Sequence, residues 1–136
     1  MNDFITVESQ PYCHIEYSFE SKCVMLSWQG FAKSHQFRKS IETVIELTKT
    51  HTVESILSDT RHQDIVTHDD IEWLTKEAHP KFFHNGVRRL AFVSSNNPFA
   101  ARGQNVYAEK TKGALELNIQ WFQNPNLAKA WIKQQN

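Results

Sequence analysis

The sequence predicts a single α/β domain: an opening β-hairpin followed by alternating strands and helices, giving a mixed, mostly parallel sheet of about five strands with helices packed on it. Three observations carry this. Two runs with period-two apolar alternation, Cys13–Phe19 and Cys23–Trp28, are separated only by the short polar stretch Glu20-Ser21-Lys22. Phe37, Ile41, Val44, Ile45 and Thr48 recur at the spacing of one buried helix stripe. Leu90-Ala91-Phe92-Val93 is continuously apolar, as in a central strand covered on both faces.

In chain order, residues 1–10 form a loose N-terminal segment ahead of the hairpin, and Gln29-Gly30 breaks the second strand. Ser34 reads as the N-cap of a helix ending near His51, with Arg38, Lys39, Glu42, Glu46 and Lys49 on its solvent side. Val53–Asp59 is the next strand, and it runs out into the polar cluster Asp59-Thr60-Arg61-His62-Gln63-Asp64. Thr67-His68-Asp69-Asp70 is a capping signature, a hydroxyl at the N-cap with acids in the first turn. The helix it opens buries Ile71, Leu74 and Ala78 and stops at His79-Pro80, leaving Lys81–Gly86 as a loop or broken turn. After the Val87–Val93 strand, Pro98 and Gly113 bracket a helix over Phe99–Lys112. Glu116–Phe122 is the last strand, and Asn124-Pro125 starts a terminal helix carrying Leu127, Ala128, Trp131 and Ile132 on one face. Trp28, Phe37, Leu57, Phe92 and Trp131 fall on the apolar phases of these elements and are expected in the core.

Hydrophobic residues at 40% and charged residues at 22% exclude disorder and a fibrous repeat. Fifteen basic residues balance fifteen acidic ones, so no net field draws the chain to nucleic acid or to an anionic membrane. Two cysteines, Cys13 and Cys23, are too few for a disulfide scaffold and read as small buried hydrophobes rather than a bridge. No basic region followed by an apolar run opens the sequence, and no apolar segment is long enough to span a bilayer, so a cytoplasmic protein is expected.

Trp28-Gln29-Gly30, Phe37-Arg38, Leu57-Ser58-Asp59-Thr60-Arg61 and Asp70-Ile71-Glu72-Trp73-Leu74 form an ordered set with Gly86-Val87-Arg88-Arg89-Leu90-Ala91-Phe92-Val93, Asn97-Pro98-Phe99 and Ala130-Trp131-Ile132. Over nearly the whole chain this set resembles the small bacterial proteins with a SpoIIAA-like (STAS-like) fold. The resemblance implies helices packed on a four- or five-stranded sheet, and it points toward anti-sigma-factor antagonists and lipid-carrying CRAL-TRIO domains. In the antagonists an Asp-Ser-[Ser/Thr]-Gly turn carries the phosphorylated Ser that switches partner binding. This chain has Asp59-Thr60-Arg61-His62 after the corresponding strand, with neither the Ser nor the Gly, and its nearest hydroxyl at a helix start is Thr67. A phosphate on Thr67 would face Asp69 and Asp70 in the same turn. The chain is therefore expected not to be a phosphoswitch.

The cluster Asp59, Thr60, Arg61, His62 falls at the carboxyl end of a strand, where α/β sheets place their sites. Arg61 suits a carboxylate or phosphate, helped by the N–H groups of the helix opened by Thr67; equally, an Asp59–Arg61 or Arg61–Asp64 pair would pin the loop. Seven histidines show no metal-ligand spacing, and no cofactor or metal is expected. There is no Gly-x-Ser-x-Gly, no P-loop and no Gly-x-Gly-x-x-Gly, so no catalytic residue is assigned. Trp73, Phe82, Phe83 and Phe99 cluster around the second helix and the loops beside the central strand; they are either core packing or an apolar groove for a ligand or partner.

Two functions follow from this reading. The first is a non-catalytic cytoplasmic regulatory module that binds a protein partner, or a second copy of itself, through the loop and helix after Asp59. The second is a carrier that holds a small apolar or lipid-like ligand in a groove between helices. An enzyme is not expected.

Overall fold

The computed structural model describes residues 3–94 and 117–134. Within them the chain runs β1 (Ile5–Gln10), β2 (Cys13–Ser18), β3 (Cys23–Gly30), α1 (Ser34–Thr50), β4 (Ser55–Gln63) and α2 (His68–Trp73). A π-helical turn (Leu74–Ala78), α3 (His79–His84), β5 (Arg89–Val93), β6 (Asn118–Phe122) and α4 (Pro125–Gln134) complete the described chain. The expected helix over Phe99–Lys112, and with it Phe99, lies outside the described residues.

The strands form one sheet in sequential order, β1 to β6. β1, β2 and β3 pair antiparallel, and β3 to β6 pair parallel. The hairpin forms as expected, with Cys13 opposite Trp28 and Ser18 opposite Cys23. Among the described residues the sheet has six strands rather than five, because residues 5–10 form an edge strand on β2 instead of a loose segment. Ile5-Thr6-Val7-Glu8 does alternate, but it covers no core: Ile5 and Val7 are exposed, and a bulge between Thr6 and Glu8 roughens this edge against further pairing.

Two cores lie on opposite faces of the sheet. On one face α1 and the α2–α3 region cover Cys13, Ile15, Tyr17, Val24, Leu26, Trp28, Ile56 and Leu90. On the other, Ala128 and Ile132 of α4 pack on Cys23, Leu57, Ala91 and Val93. The even and odd residues of β5 thus serve different cores, which is why that strand is apolar throughout. Trp28, Phe37 and Leu57 are fully buried as expected, whereas Phe92 and Trp131 are only partly buried and pack against the edges of the two cores. Cys13 and Cys23 sit on opposite faces as free thiols, and burial pushes both up to about 12, so neither is a nucleophile.

α1 buries the expected stripe, Phe37, Ile41, Val44, Ile45 and Thr48. Its N-cap is Lys33 rather than Ser34, with Gln36 Oε1 accepting from the Lys33 N–H at 2.9 Å. The second helix does not stop at His79-Pro80. A π-helical turn, in which the His79 N–H reaches back to the Leu74 carbonyl, carries the chain into α3, and Pro80 takes a first-turn position where its missing N–H costs nothing. Residues 81–84, read from the sequence as loop, are therefore helical, and Phe82 is swung into the core.

Candidate functional site

β4 continues to Gln63, through the cluster that the sequence reads as a loop. Asp59 is paired with Val93 of β5, and Gly30 of β3 with Gln63, so the backbone stays extended after the apolar run has ended. A bulge interrupts the ladder here, Ser27 pairing with Asp59 and Gln29 with His62, and the hydrogen bonds of the cluster show how it is divided between the two faces. Asp59 and Arg61 share one face, where the guanidinium holds the carboxylate with two hydrogen bonds, Nε to Oδ1 at 3.0 Å and Nη2 to Oδ2 at 2.9 Å. Those bonds raise the Arg61 pKa, and the fork of the guanidinium is committed to Asp59 instead of awaiting an anion. Thr60 points to the other face, buried, with its hydroxyl donating to the Val93 carbonyl. A buried strand hydroxyl bonded to main chain is not a surface for a kinase or a partner.

The exposed part of this end of the sheet lies just beyond the strands. Gly30 leaves β3 with a φ of 66°, a left-handed conformation natural to glycine, and its carbonyl accepts from the Asp64 N–H at 2.9 Å. This bond fastens the β3–α1 connection beside the β4–α2 connection. Each carries one large apolar side chain into solvent: Phe31 is 56% exposed and Ile65 46%. Thr67, His68 and Asp69, also exposed, follow directly at the start of α2. Thr67 is the N-cap anticipated from the sequence, its hydroxyl accepting from the Asp70 N–H at 3.2 Å. Phe31 and Ile65 were not anticipated. Their signal was an aromatic after Gly30 and the first of two aliphatics, Ile65-Val66, after Asp64, each off the periodicity of any element.

Asp70 fixes this end of the molecule. Its side chain is buried, and Oδ1 accepts from the Ser34 hydroxyl at 2.6 Å and from Arg38 Nε at 2.8 Å, joining the start of α2 to α1. Arg38 also lies over the Trp73 ring, 5.3 Å from its centroid. The carboxylate is therefore a structural tie. Asp70→Ala is expected to reduce stability by about 1 kcal/mol, since the tie between α2 and α1 is lost while the exposed Ser34 and the half-exposed Arg38 both regain water; urea unfolding reads the loss.

The aromatic cluster is likewise split. Phe82 is buried in the core, whereas Trp73 and Phe83 pack at its margin, each beneath an arginine, with Arg88 at 4.0 Å from the Phe83 ring centroid. Between the sheet and the α1–α3 helices lies an apolar cavity of about 80 Å3. Trp28, Phe37, Leu74, Phe82, Leu90 and Phe92 contribute to its walls, with Ser58, Thr60 and His79 as inner polar groups and Gln63 and Asp64 at the half-exposed rim. Burial pushes the His79 pKa down to about 4, so the imidazole is neutral near pH 7. Among the described residues no three His, Cys, Asp or Glu side chains converge as a metal-ligand set, and no helix is long and apolar enough to cross a membrane.

With this geometry in view, the architecture can be set beside solved structures. The chain is similar to the anti-sigma factor antagonist SpoIIAA in its unphosphorylated form, with a TM-score of 0.59 at 8% identity over 96% of each chain. It is similar to a protein of the DUF3478 family with a SpoIIAA-like fold from Shewanella loihica PV-4, with a TM-score of 0.55 at 12% identity over 95% of this chain and 91% of that one. SiaC of Pseudomonas aeruginosa matches with a TM-score of 0.50 at 11% identity, over 90% of this chain and 100% of that one. No family model and no curated protein matches. The chain has a SpoIIAA-like (STAS-like) fold.

Proposed function

We propose that this domain is a non-catalytic cytoplasmic regulatory module that docks a protein partner on the carboxyl end of its sheet. One observation carries the reading: Phe31 and Ile65 stand exposed on two connections that the Asp64–Gly30 hydrogen bond holds side by side. Two large apolar side chains on a fastened platform, rimmed by Thr67, His68 and Asp69, have the makeup of an interface centre with a polar border. The likeness of fold to an anti-sigma factor antagonist supports the same reading. Partner binding is not gated by phosphate on Thr60, whose hydroxyl is buried, and the acids at Asp69 and Asp70 disfavour phosphate on Thr67. Binding is constitutive or under ligand control.

The double variant Phe31→Asp/Ile65→Asp tests this. It is expected to fold with an unchanged melting temperature and to lose at least tenfold in partner retained on native purification from the host. Phe19→Asp, at an equally exposed aromatic remote from this end, is expected to retain the partner. Retention by the double variant would overturn the proposal, and a second copy of the chain as the retained partner would make the module a homo-oligomer.

The cavity favours a second activity in the same domain, the holding of a small apolar ligand between the sheet and the helices.

A further inference from the structure

The inner end of the cavity has a chemistry that narrows what it holds. Ser58 Oγ, almost wholly buried, accepts the indole N–H of Trp28 at 3.0 Å. Among the described residues no acceptor takes the proton of the Ser58 hydroxyl, which lines the cavity. A buried donor left without an acceptor is costly, so the Ser58 hydroxyl offers a hydrogen bond to whatever enters. The surrounding wall is Trp28, Phe37, Leu74, Leu90 and Phe92, and the neutral imidazole of His79 adds no charge near pH 7. Asp64, the one carboxylate at the cavity among the described residues, sits at the rim and accepts from the Ile65 N–H. Among the described residues an anion therefore finds no counter-charge inside, and a cation would have to leave its water to reach a hydroxyl and a neutral ring.

Size narrows the ligand further. An apolar cavity of about 150 Å3 accommodates benzene. By that measure the 80 Å3 here suits roughly half as many atoms, about three to five. The wall is also shaped by a backbone irregularity. The π-helical turn Leu74–Ala78 places Leu74 and His79 on the lining, and such turns recur where a helix has been adapted to a function.

We propose that this cavity binds a compact, uncharged carbonyl compound of about three to five heavy atoms, a short-chain ketone or aldehyde, whose oxygen accepts the Ser58 hydroxyl proton and whose alkyl part lies against Trp28, Leu74 and Phe92. The inference rests on the ligand-holding reading above and adds the class of ligand to it. Binding is non-covalent: no bond is made or broken, and one hydrogen bond forms.

Acetone and isobutene have nearly the same shape and differ in carrying a carbonyl oxygen or a methylene, so the pair isolates the hydrogen bond. Each is titrated into the full-length protein while the Trp28 indole N–H and the Leu74 and Leu90 methyl resonances are followed by NMR. Saturable shifts are expected with both, and acetone is expected to bind roughly tenfold more tightly to the wild type than to Ser58→Ala, with isobutene indifferent to that change. Leu74→Phe, which fills the cavity while leaving Ser58 in place, is expected to abolish both titrations. Saturable binding of isobutene, with acetone no tighter to wild type than to Ser58→Ala, would overturn the carbonyl assignment and leave the ligand-holding reading standing. No saturable shift with either probe would mean that the cavity holds water only, and both readings would fall. Should Ser58→Ala not fold, the same comparison is made between acetone and isobutene on the wild type, where equal affinity overturns the proposal.

Discussion

Trp28→Ala is expected to lower the free energy of unfolding by about 4 kcal/mol, a large share of the 5–15 kcal/mol of an ordinary domain. Trp28 is the largest side chain of the helix-covered core, stacked on Phe37 of α1 with ring centroids 5.2 Å apart. Its removal strips the β3–α1 contact and leaves a hole that the neighbouring cavity can only enlarge. It also withdraws the indole N–H from Ser58, so that a buried hydroxyl loses its donor as well as lacking an acceptor. Trp28→Phe keeps a six-membered ring against Phe37 and loses the hydrogen bond with the rest of the indole, and is expected to cost about 1–2 kcal/mol. Urea unfolding followed by circular dichroism measures both, and a loss below about 1 kcal/mol for the alanine variant would contradict the packing described.

The second large effect is a loss of stability in mild acid. His79 is 1% exposed, and burial pushes its pKa from 6.5 down to about 4. The unfolded chain takes up a proton near pH 6.5 while the folded chain resists it until about pH 4. The stabilisation is therefore complete above pH 6.5 and lost as the pH falls toward 4, amounting to about 3 kcal/mol over that interval. Between pH 7 and pH 5 the loss assigned to this residue is about 2 kcal/mol. His79→Gln removes the titration, so the difference between wild type and variant isolates it from every other ionising group. Parallel pH profiles for the two proteins would contradict the assignment.

Much of the architecture was legible in the residues. The α1 stripe, the Cys13–Trp28 hairpin and the two-sided strand at Leu90–Val93 follow from periodicity, and each pays its apolar side chains into a core on the face the pattern demands. The departures have physical causes. β4 outlasts its apolar run because Asp59 and Arg61 neutralise each other on one face and Thr60 is bonded to the Val93 carbonyl on the other, so polar residues remain at home in the strand. Pro80 looked like a stop because a local reading sees a missing donor, whereas the preceding π-helical turn lets the chain restart around it. β1 covers nothing, so its alternation had no core to report on.

The candidate site was less legible. Asp59, Thr60 and Arg61 lie at the carboxyl end of the sheet, as the sequence places them, but they are divided between its faces and their polar atoms are engaged with one another and with main chain. Thr67 was read correctly, as a cap. Phe31 and Ile65 follow no period, and only the hydrogen bond between Asp64 and Gly30, a contact across the fold, brings their two connections together. The cavity depends on the π-helical turn and on the placement of Ser58 beside Trp28, neither of which a one-dimensional pattern contains.

The central claim is that the partner docks where Phe31 and Ile65 emerge, and photo-crosslinking in the native host tests it most directly. A photoreactive amino acid is placed singly at Phe31, at Ile65 and, as a remote control, at Phe19. The account predicts one shared crosslinked protein from Phe31 and Ile65 and none from Phe19. Crosslinks confined to Phe19, or absent from both Phe31 and Ile65, would contradict it.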